Sequence, residues 1–313
     1  MLDQKLDTFL ILCETRNYTQ TANRLNITQP AVTQHIKFLE GYYKTKLLYY
    51  DEKRLLHLTE HGKLLRSYAQ TIKSDSRIIE RKLKNQPEQP DELKLGTLTT
   101  TGESLVPHMV AQYLKKYPDK KVSMYLGEAD ALLQQLKSGR IQFCIIDTYC
   151  PPLEYESCEL FEADTICVCS PEHPLAGKTV DFKDLNSYRL IFRENDTNSH
   201  RNLMKILHAH NQDIDSFRSY VEIGTINTVQ KMVMENVGIS FIYRFVVQEN
   251  LEKGLLSQIH IRNFSSHSMF NFAWMKNSFF TPGNMQFLEV CREVLILPFF
   301  KITVSFLRPP EEN

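Results

Sequence analysis

The sequence predicts an α/β protein with a helical N-terminal part and a remainder of alternating strands and helices. Three observations carry this. Residues 17–40 read as helix, tight turn, helix. Residues 61–85 keep one helical period and then meet Gln86-Pro87-Glu88-Gln89-Pro90-Asp91, a tract that ends helices and marks a domain boundary. Beyond it, apolar runs of strand length alternate with amphipathic stretches, as in a parallel sheet with helices on its faces.

At 313 residues, 42% hydrophobic and 24% charged, the chain has the make-up of a globular protein of two or more domains. Its net charge of zero hides an asymmetry: residues 1–87 hold 15 Lys+Arg against 9 Asp+Glu, a net +6, and the rest carries −6. A basic half suits a polyanionic partner. The seven cysteines are an odd number without regular spacing, which fits reduced, buried thiols. No basic-apolar-small leader begins the chain and no apolar run reaches about 18 residues, so a cytoplasmic protein with no membrane partner is expected.

Taken in order, Leu2, Leu6, Phe9, Leu10 and Cys13 have helical spacing and predict a first helix packed across the next two. Asn17 or Thr19 can cap the second helix, which buries Ala22 and Leu25. Asn26 suits the left-handed residue that ends it, Thr28 caps the third, and Pro30 falls in that helix's first turn. Val32, Ile36 and Leu39 make the buried stripe, which leaves Gln29, Thr33, Gln34 and Lys37 opposite. Such a face suits the major groove: glutamine pairs bidentately with adenine, and threonine offers a hydroxyl and a methyl.

Residues 47–58 follow, with Asp51-Glu52-Lys53-Arg54 as the tip of two short strands, and Lys53 and Arg54 are the expected phosphate contacts. In the helix over 61–85, Leu65, Tyr68, Ile72, Ile79 and Leu83 form one apolar seam, suited to pairing with a second copy or to packing on its own chain.

Ala22, Leu25, the run from Thr28 through Thr33, Ile36, Leu39-Glu40, Lys46-Leu47-Leu48 and Leu58-Thr59-Glu60-x-Gly62 resemble the winged helix-turn-helix of LysR-type transcriptional regulators. The sequence departs from that pattern at His35, Lys44, Leu48 and Tyr50. The resemblance implies a periplasmic-binding-protein-like effector domain of two α/β subdomains joined by crossing strands, and a linker helix that forms the dimer contact. Its implied limits are residues 1–60 for the winged helix-turn-helix, 61–87 for the linker helix, 91–163 with 268–301 for one subdomain, and 164–267 for the other.

In the remainder, strands are expected over 93–98, 122–126, 142–147, 165–170, 190–192, 220–223, 239–242 and 269–275, with helices over 104–117, 129–138, 199–209, 226–235 and 284–294. Ligands of open α/β sheets bind beyond the carboxyl ends of strands. Four hydroxyl-rich segments fall there: Thr99-Thr100-Thr101 with Ser104, then Thr148, then Thr197-Asn198-Ser199, then Gly224-Thr225 with Asn227. Three of them open helices, where free N–H groups favour an anion. Ser, Thr and Asn also cap helices with no ligand present, and either reading fits any one residue.

Other chemistry finds little support. Ser104 and His108 lie four apart on one helix, without the sharp elbow a nucleophile needs. Cys167-x-Cys169 and His208-x-His210 lack a paired partner for zinc, and no glycine-rich phosphate loop occurs. Trp274 among Phe270, Phe272 and Phe279 reads as core. Neither cofactor nor catalytic activity is expected.

The resemblance therefore implies a LysR-type regulator that reads an inverted repeat with two recognition helices, about 34 Å apart. Expected DNA-binding residues are Gln29, Pro30, Ala31, Thr33, Gln34, His35, Lys37, Lys53 and Arg54. Expected effector-binding residues are Thr99, Thr100, Thr101, Thr148, Thr197, Ser199 and Thr225, and the effector is expected to be small and anionic. The implied partners are double-stranded promoter DNA, a second copy or more of the chain as dimer or tetramer, and RNA polymerase. The alternative is a small-molecule receptor whose N-terminal domain serves oligomerisation.

Overall fold

The computed structural model describes residues 3–84, 92–279 and 281–296; Asn85, the tract 86–91 and residues 297–301 of the expected last subdomain lie outside the described residues. The N-terminal unit is α1 (Gln4–Thr15), α2 (Tyr18–Leu25), α3 (Gln29–Tyr43), β1 (Leu48–Tyr50) and β2 (Leu56–Leu58). Its helices are bounded by side-chain caps: Asp3 accepts from Lys5 N, Asn17 from Gln20 N, and Thr28 from Ala31 N. Asn17, not Thr19, caps α2. Left-handed Arg16, Asn26 and Lys44 terminate the three helices, and α3 runs three residues past Glu40 before Lys44 stops it. Phe9, Leu12, Ala22, Val32, Ile36, Leu39, Leu47 and Leu56 close the core of this unit.

α4 (Glu60–Lys84) then runs 25 residues. The next elements are β3 (Glu92–Leu98), α5 (Thr99–Ser104), α6 (Val106–Lys116), β4 (Lys121–Gly127), α7 (Ala129–Lys137) and β5 (Phe143–Ile146). The helix expected from Ser104 begins at Thr99 and is interrupted at Leu105. Pro107 has no N–H for the carbonyl four residues earlier, so the turn cannot pass through unbroken. β6 (Tyr155–Cys169), β7 (Thr179–Val180), β8 (Arg189–Arg193), α8 (Asn198–Ala209), β9 (Ser219–Ile223), α9 (Ile226–Met234), β10 (Ser240–Tyr243), α10 (Arg244–Glu252), β11 (Ser257–Ile261), β12 (His267–Met275) and α11 (Thr281–Leu295) complete it.

Among the described residues the main sheet has the order β4-β3-β5-β12-β6-β11-β7, with β10 also paired to β6. β3 is parallel to β4 and β5, whereas β12 is antiparallel to β5 and β6, with His267 opposite Asp164. β6 is 15 residues long, so its first half joins one core and its second half another. The first core gathers Leu95, Met109, Leu132, Phe143, Phe161, Phe272 and Phe287. On the far side, Cys167, Leu190, Leu203 and Ile259 pack in one cluster, and Ile166, Ile191, Val229 and Ile242 in another. Parallel β8 and β9 join that side through the Leu190 to Ile239 bridge. The carboxyl ends of β3, β5, β8 and β10 consequently face one cleft between the cores.

One face of α4 is fastened to this α/β unit. Buried Ser67 donates to Leu153 O, Thr71 to Lys276 O at 2.7 Å, and Ser74 to Leu136 O at 3.2 Å. Arg66 and Lys137 both pair with Glu154, at 2.8 and 2.6 Å, and Lys73 pairs with Asp7 of α1. Of the expected seam, Tyr68 (47% exposed), Ile72 (52%), Ile79 (44%) and Leu83 point away, whereas Leu65 is half-buried against the N-terminal core, and Ala69 and Ile78 are buried on the inner face. Helical spacing revealed that a seam exists; only the tertiary contacts show that its Tyr68, Ile72, Ile79 and Leu83 members are turned away from the chain's own core.

Candidate functional site

The first candidate site is the outer face of α3 and the hairpin beside it. Burial of Val32, Ile36 and Leu39 rotates α3 so that Gln29, Pro30, Gln34 and Lys37 are exposed, with Ala31 and Thr33 half-buried. Gln29 Nε2 donates to Thr33 Oγ1 at 3.2 Å, and Thr33 Oγ1 donates to Gln29 O, so both amide and hydroxyl are oriented before any partner arrives. His35 is placed differently from the sequence expectation. Its Nδ1 lies 2.9 Å from Thr8 Oγ1 of α1, which turns the half-buried ring toward the protein rather than toward a groove.

β1 and β2 pair antiparallel, Leu48 opposite Leu58 and Tyr50 opposite Leu56. Asp51 shapes their tip by accepting from Leu55 N at 2.8 Å and from His57 Nε2 at 2.9 Å. The Leu55 hydrogen bond, with help from His57, holds its carboxyl below the usual range. Arg54 takes a left-handed φ of 58°, and Lys53 and Arg54 are both exposed at this tip. A cationic tip on the hairpin that follows an amide-rich helix can hold a phosphate backbone while the helix meets base edges.

The second candidate site is the cleft. Thr100 Oγ1 and Ser199 Oγ lie 3.3 Å apart across it, one on α5 and one on α8. Asp147, at the end of β5, accepts from Asn198 Nδ2, and Asn198 Nδ2 also reaches Thr148 Oγ1 at 3.2 Å. The Tyr243 hydroxyl is 3.1 Å from Asp147 Oδ2 and 2.9 Å from Ser268 Oγ, so its one proton serves either. Burial raises the Asp147 carboxyl above its ordinary value against the pull of the Asn198 and Tyr243 hydrogen bonds. Burial and the neighbouring Asp147 raise the Tyr243 phenol.

The expected residues divide by what their hydroxyls touch. Thr100, Ser199 and Thr148 are brought to the cleft, and Thr99 lines a small cavity with Glu128, Asp147 and Asn198. Thr101 is fully buried, bonded to Thr97 Oγ1 and Leu98 O, and faces the protein interior. Thr197 and Thr225 cap α8 and α9, accepting from His200 N at 3.1 Å and Thr228 N at 3.2 Å. The first N–H of α8, on Asn198, already donates to Glu128 Oε2 at 2.8 Å. Thr100 separates two cavities: one of about 250 Å³ reaching Glu103, Asn227 and Glu249, and one of about 20 Å³ reaching Arg193. Arg193 gives no signal in the sequence, where a charged residue at the end of the run RLIFR reads as the solvated end of a strand. It is 6% exposed, and its Nε has no hydrogen-bond acceptor among the described residues.

Ser104 Oγ donates to Thr100 O at 2.7 Å, so it is bonded back to the backbone rather than to His108. Ser265, His267 and Asp164 make a hydrogen-bonded chain, at 2.5 and 2.8 Å, but on exposed side chains at the strand crossing and outside the cavities described above. The seven cysteines are free, and burial pushes the Cys13 and Cys169 thiols up to about 12 and Cys150 to about 11; Cys144, Cys158, Cys167 and Cys291 shift the same way. Thiols so held are poor nucleophiles. No helix of the described residues is long and apolar enough to cross a membrane.

Known proteins resemble this chain over both of its units. The family model described as bacterial regulatory helix-turn-helix protein, lysR family, matches residues 4–63, and that for the LysR substrate binding domain matches residues 86–296. The HTH-type transcriptional regulator CysL of Bacillus subtilis strain 168 is 28% identical over 269 residues, covering 83% of this chain and 86% of CysL. In fold, the chain resembles a full-length cysteine-to-aspartate variant of OxyR from Pseudomonas aeruginosa, with a TM-score of 0.60 at 17% identity over 97% of this chain and 98% of that one. It also resembles the regulatory domain of Synechocystis CcmR in complex with 2-PG, with a TM-score of 0.58 at 18% identity over 65% of this chain and 97% of that domain.

Proposed function

The chain belongs to the LysR family of DNA-binding transcriptional regulators, and from that premise we propose that it binds inverted-repeat promoter DNA and controls nearby genes in response to a small anionic effector. The observation that carries the DNA half is the rotation of α3, which buries Val32, Ile36 and Leu39 and leaves amides and an amine outside. Gln29, Thr33 and Gln34 read base edges, with Pro30 and Ala31 against the groove wall. Lys37, Lys53 and Arg54 supply phosphate contacts and most of the salt-dependent affinity. His35 sets the seat of α3 on α1 through Thr8.

The effector half rests on the convergence of Thr100, Ser199 and Thr148 on one cleft, and the 2-PG complex of the similarly folded CcmR domain gives precedent for an anionic ligand. Ligand binding between the two cores biases an equilibrium between arrangements of a dimer or tetramer, and thereby the half-sites that are held. The proposed domain limits are residues 1–60 for the winged helix-turn-helix, 61–87 for the linker helix, 91–163 with 268–301 for one subdomain, and 164–267 for the other. The protein acts in the cytoplasm on transcription by RNA polymerase and catalyses no reaction of its own.

A nuclease footprint on the DNA beside the protein's own gene, taken over a range of salt concentrations, tests the reading. A discrete protected inverted repeat that survives competitor DNA is expected. Diffuse protection at every salt concentration, or none, counts against it and favours a receptor whose N-terminal unit only oligomerises.

A further inference from the structure

Arg193 is a charged side chain in a place that gives charge little support. It ends β8, is 6% exposed, and lines the inner cavity of the cleft with Thr100, Thr165, Ser199, Asn202 and Ser240. Asn202 already donates to Thr165 at 3.0 Å, and Thr100 and Ser199 face each other. Among the described residues no carboxylate pairs with the guanidinium, and Nε has no acceptor. A guanidinium carries five N–H donors and no acceptor. Burying it unpaired is destabilising, which is tolerated where a partner arrives later.

The start of α8 and the Thr148 hydroxyl, two of the places first expected to hold an anion, are already engaged. Glu128 occupies the first N–H of α8, and Asn198 is engaged by Asp147 and Thr148. The outer cavity carries Glu103 and Glu249, and carboxylates repel an anion. What remains is the inner cavity, where a planar five-donor fork meets two hydroxyls.

We infer that Arg193 is the effector's charge partner, clamping an oxyanion group, carboxylate, sulfate or phosphate, beneath the Thr100 and Ser199 hydroxyls. This rests on the anionic-effector reading above and narrows it to one side chain and one cavity. The geometry also assigns a consequence of binding. The cavity of about 20 Å³ holds about one water, too little for an oxyanion. Entry therefore parts the 3.3 Å contact between Thr100 and Ser199, which is one of the bonds joining the two sides of the cleft. Binding replaces a weak hydroxyl pair by charge-assisted bonds from both sides, and the separation of the two cores changes with occupancy.

The test is thermal unfolding of the full-length protein in sodium sulfate and in sodium phosphate, each against sodium chloride at equal ionic strength, for wild type, Arg193→Met, Arg193→Lys and Ser199→Ala. Sulfate and phosphate also stabilise proteins without binding, so the informative quantity is the saturable part of the shift. Wild type should show that part for at least one anion. Arg193→Met should lose it, and should melt above wild type in chloride because a buried unpaired charge has gone. Arg193→Lys should keep the charge but weaken apparent affinity about ten- to a hundred-fold, as expected when a bidentate fork becomes a point charge. A saturable shift in Arg193→Met equal to that of wild type overturns the assignment; if Ser199→Ala then loses it, the anionic effector stands without Arg193. No saturable shift in wild type with either anion overturns the clamp and the anionic reading together.

Discussion

Asp147 and the residues of α3 show how single side chains set measurable properties. Burial holds the Asp147 carboxyl above its ordinary 3.8, so the folded protein keeps that proton to a higher pH than the unfolded chain does. Stability therefore falls as pH rises from 3.8 to the raised folded value; below that interval both states are protonated, and above it both are ionised. Asp147→Asn removes this slope. Across that interval its melting temperature should gain steadily on wild type and then hold a constant offset; parallel curves would mean that the desolvated carboxyl is not what costs stability. On α3, exposure separates two roles. Gln34→Ala should flatten the preference between operator and mutated operator while leaving nonspecific binding nearly unchanged. Lys53→Ala should weaken all sequences alike and reduce the slope of log affinity against log salt by about one. Competition binding on paired DNA sites reads both, and the reverse pattern would exchange the roles.

At the scale of elements, the helix-turn-helix was legible because its signals are local: Asn17, Asn26, Thr28 and Pro30 each fix one backbone event, and all four stand where the sequence puts them. Elements defined by distant partners were harder to see. Residues 155–164 pair as strand although Glu156, Glu159 and Glu162 interrupt the apolar pattern, because β12 supplies the partner. α10 follows β10 with no intervening residue, and its Val246 and Val247 suggest strand rather than helix. The cleft was half legible: hydroxyls at strand ends were visible, but a cap and a ligand contact use the same residue types, and only the fold separates Thr197 from Ser199. Gly139 illustrates a seam hidden from sequence. It ends the α7 segment at φ +65°, and a Cβ there would lie 2.5 Å from Ser74 O of α4. Gly139→Ala should cost about 2 kcal/mol through backbone strain and the clash. Gly254 has a similar φ of +68° with nothing within 4 Å, so Gly254→Ala pays the strain alone. Thermal unfolding of the two variants should place Gly139→Ala several degrees lower; equal losses would show that the α4 to α7 seam yields freely.

Across the whole molecule, α4 is the element through which the cleft and the DNA-facing unit can sense one another. Its inner face is bonded to Lys276 O just past β12, to the end of α7 through Leu136 O, and to α1 through Lys73 and Asp7. These bonds give a shift of the first core a direct route through α4 to the helix-turn-helix. The opposite face presents Leu64, Tyr68, Ile72, Ile79 and Leu83 to solvent, a stripe longer than a soluble helix ordinarily leaves bare. A second copy laid along it would bury the stripe and fix two recognition helices at a set separation. One α3 contacts few base pairs, so useful affinity depends on two half-sites held together, and linkage of that kind is worth about 10² to 10⁴ in affinity. Ile72→Glu tests this without touching a core, since the side chain is 52% exposed in one chain. The variant should remain folded by circular dichroism, sediment as a monomer where wild type sediments as a dimer or larger, and bind an intact inverted repeat no better than a single half-site. A variant that still sediments as an oligomer and still prefers the full repeat would move the dimer contact away from α4, and leave the exposed stripe to some other partner.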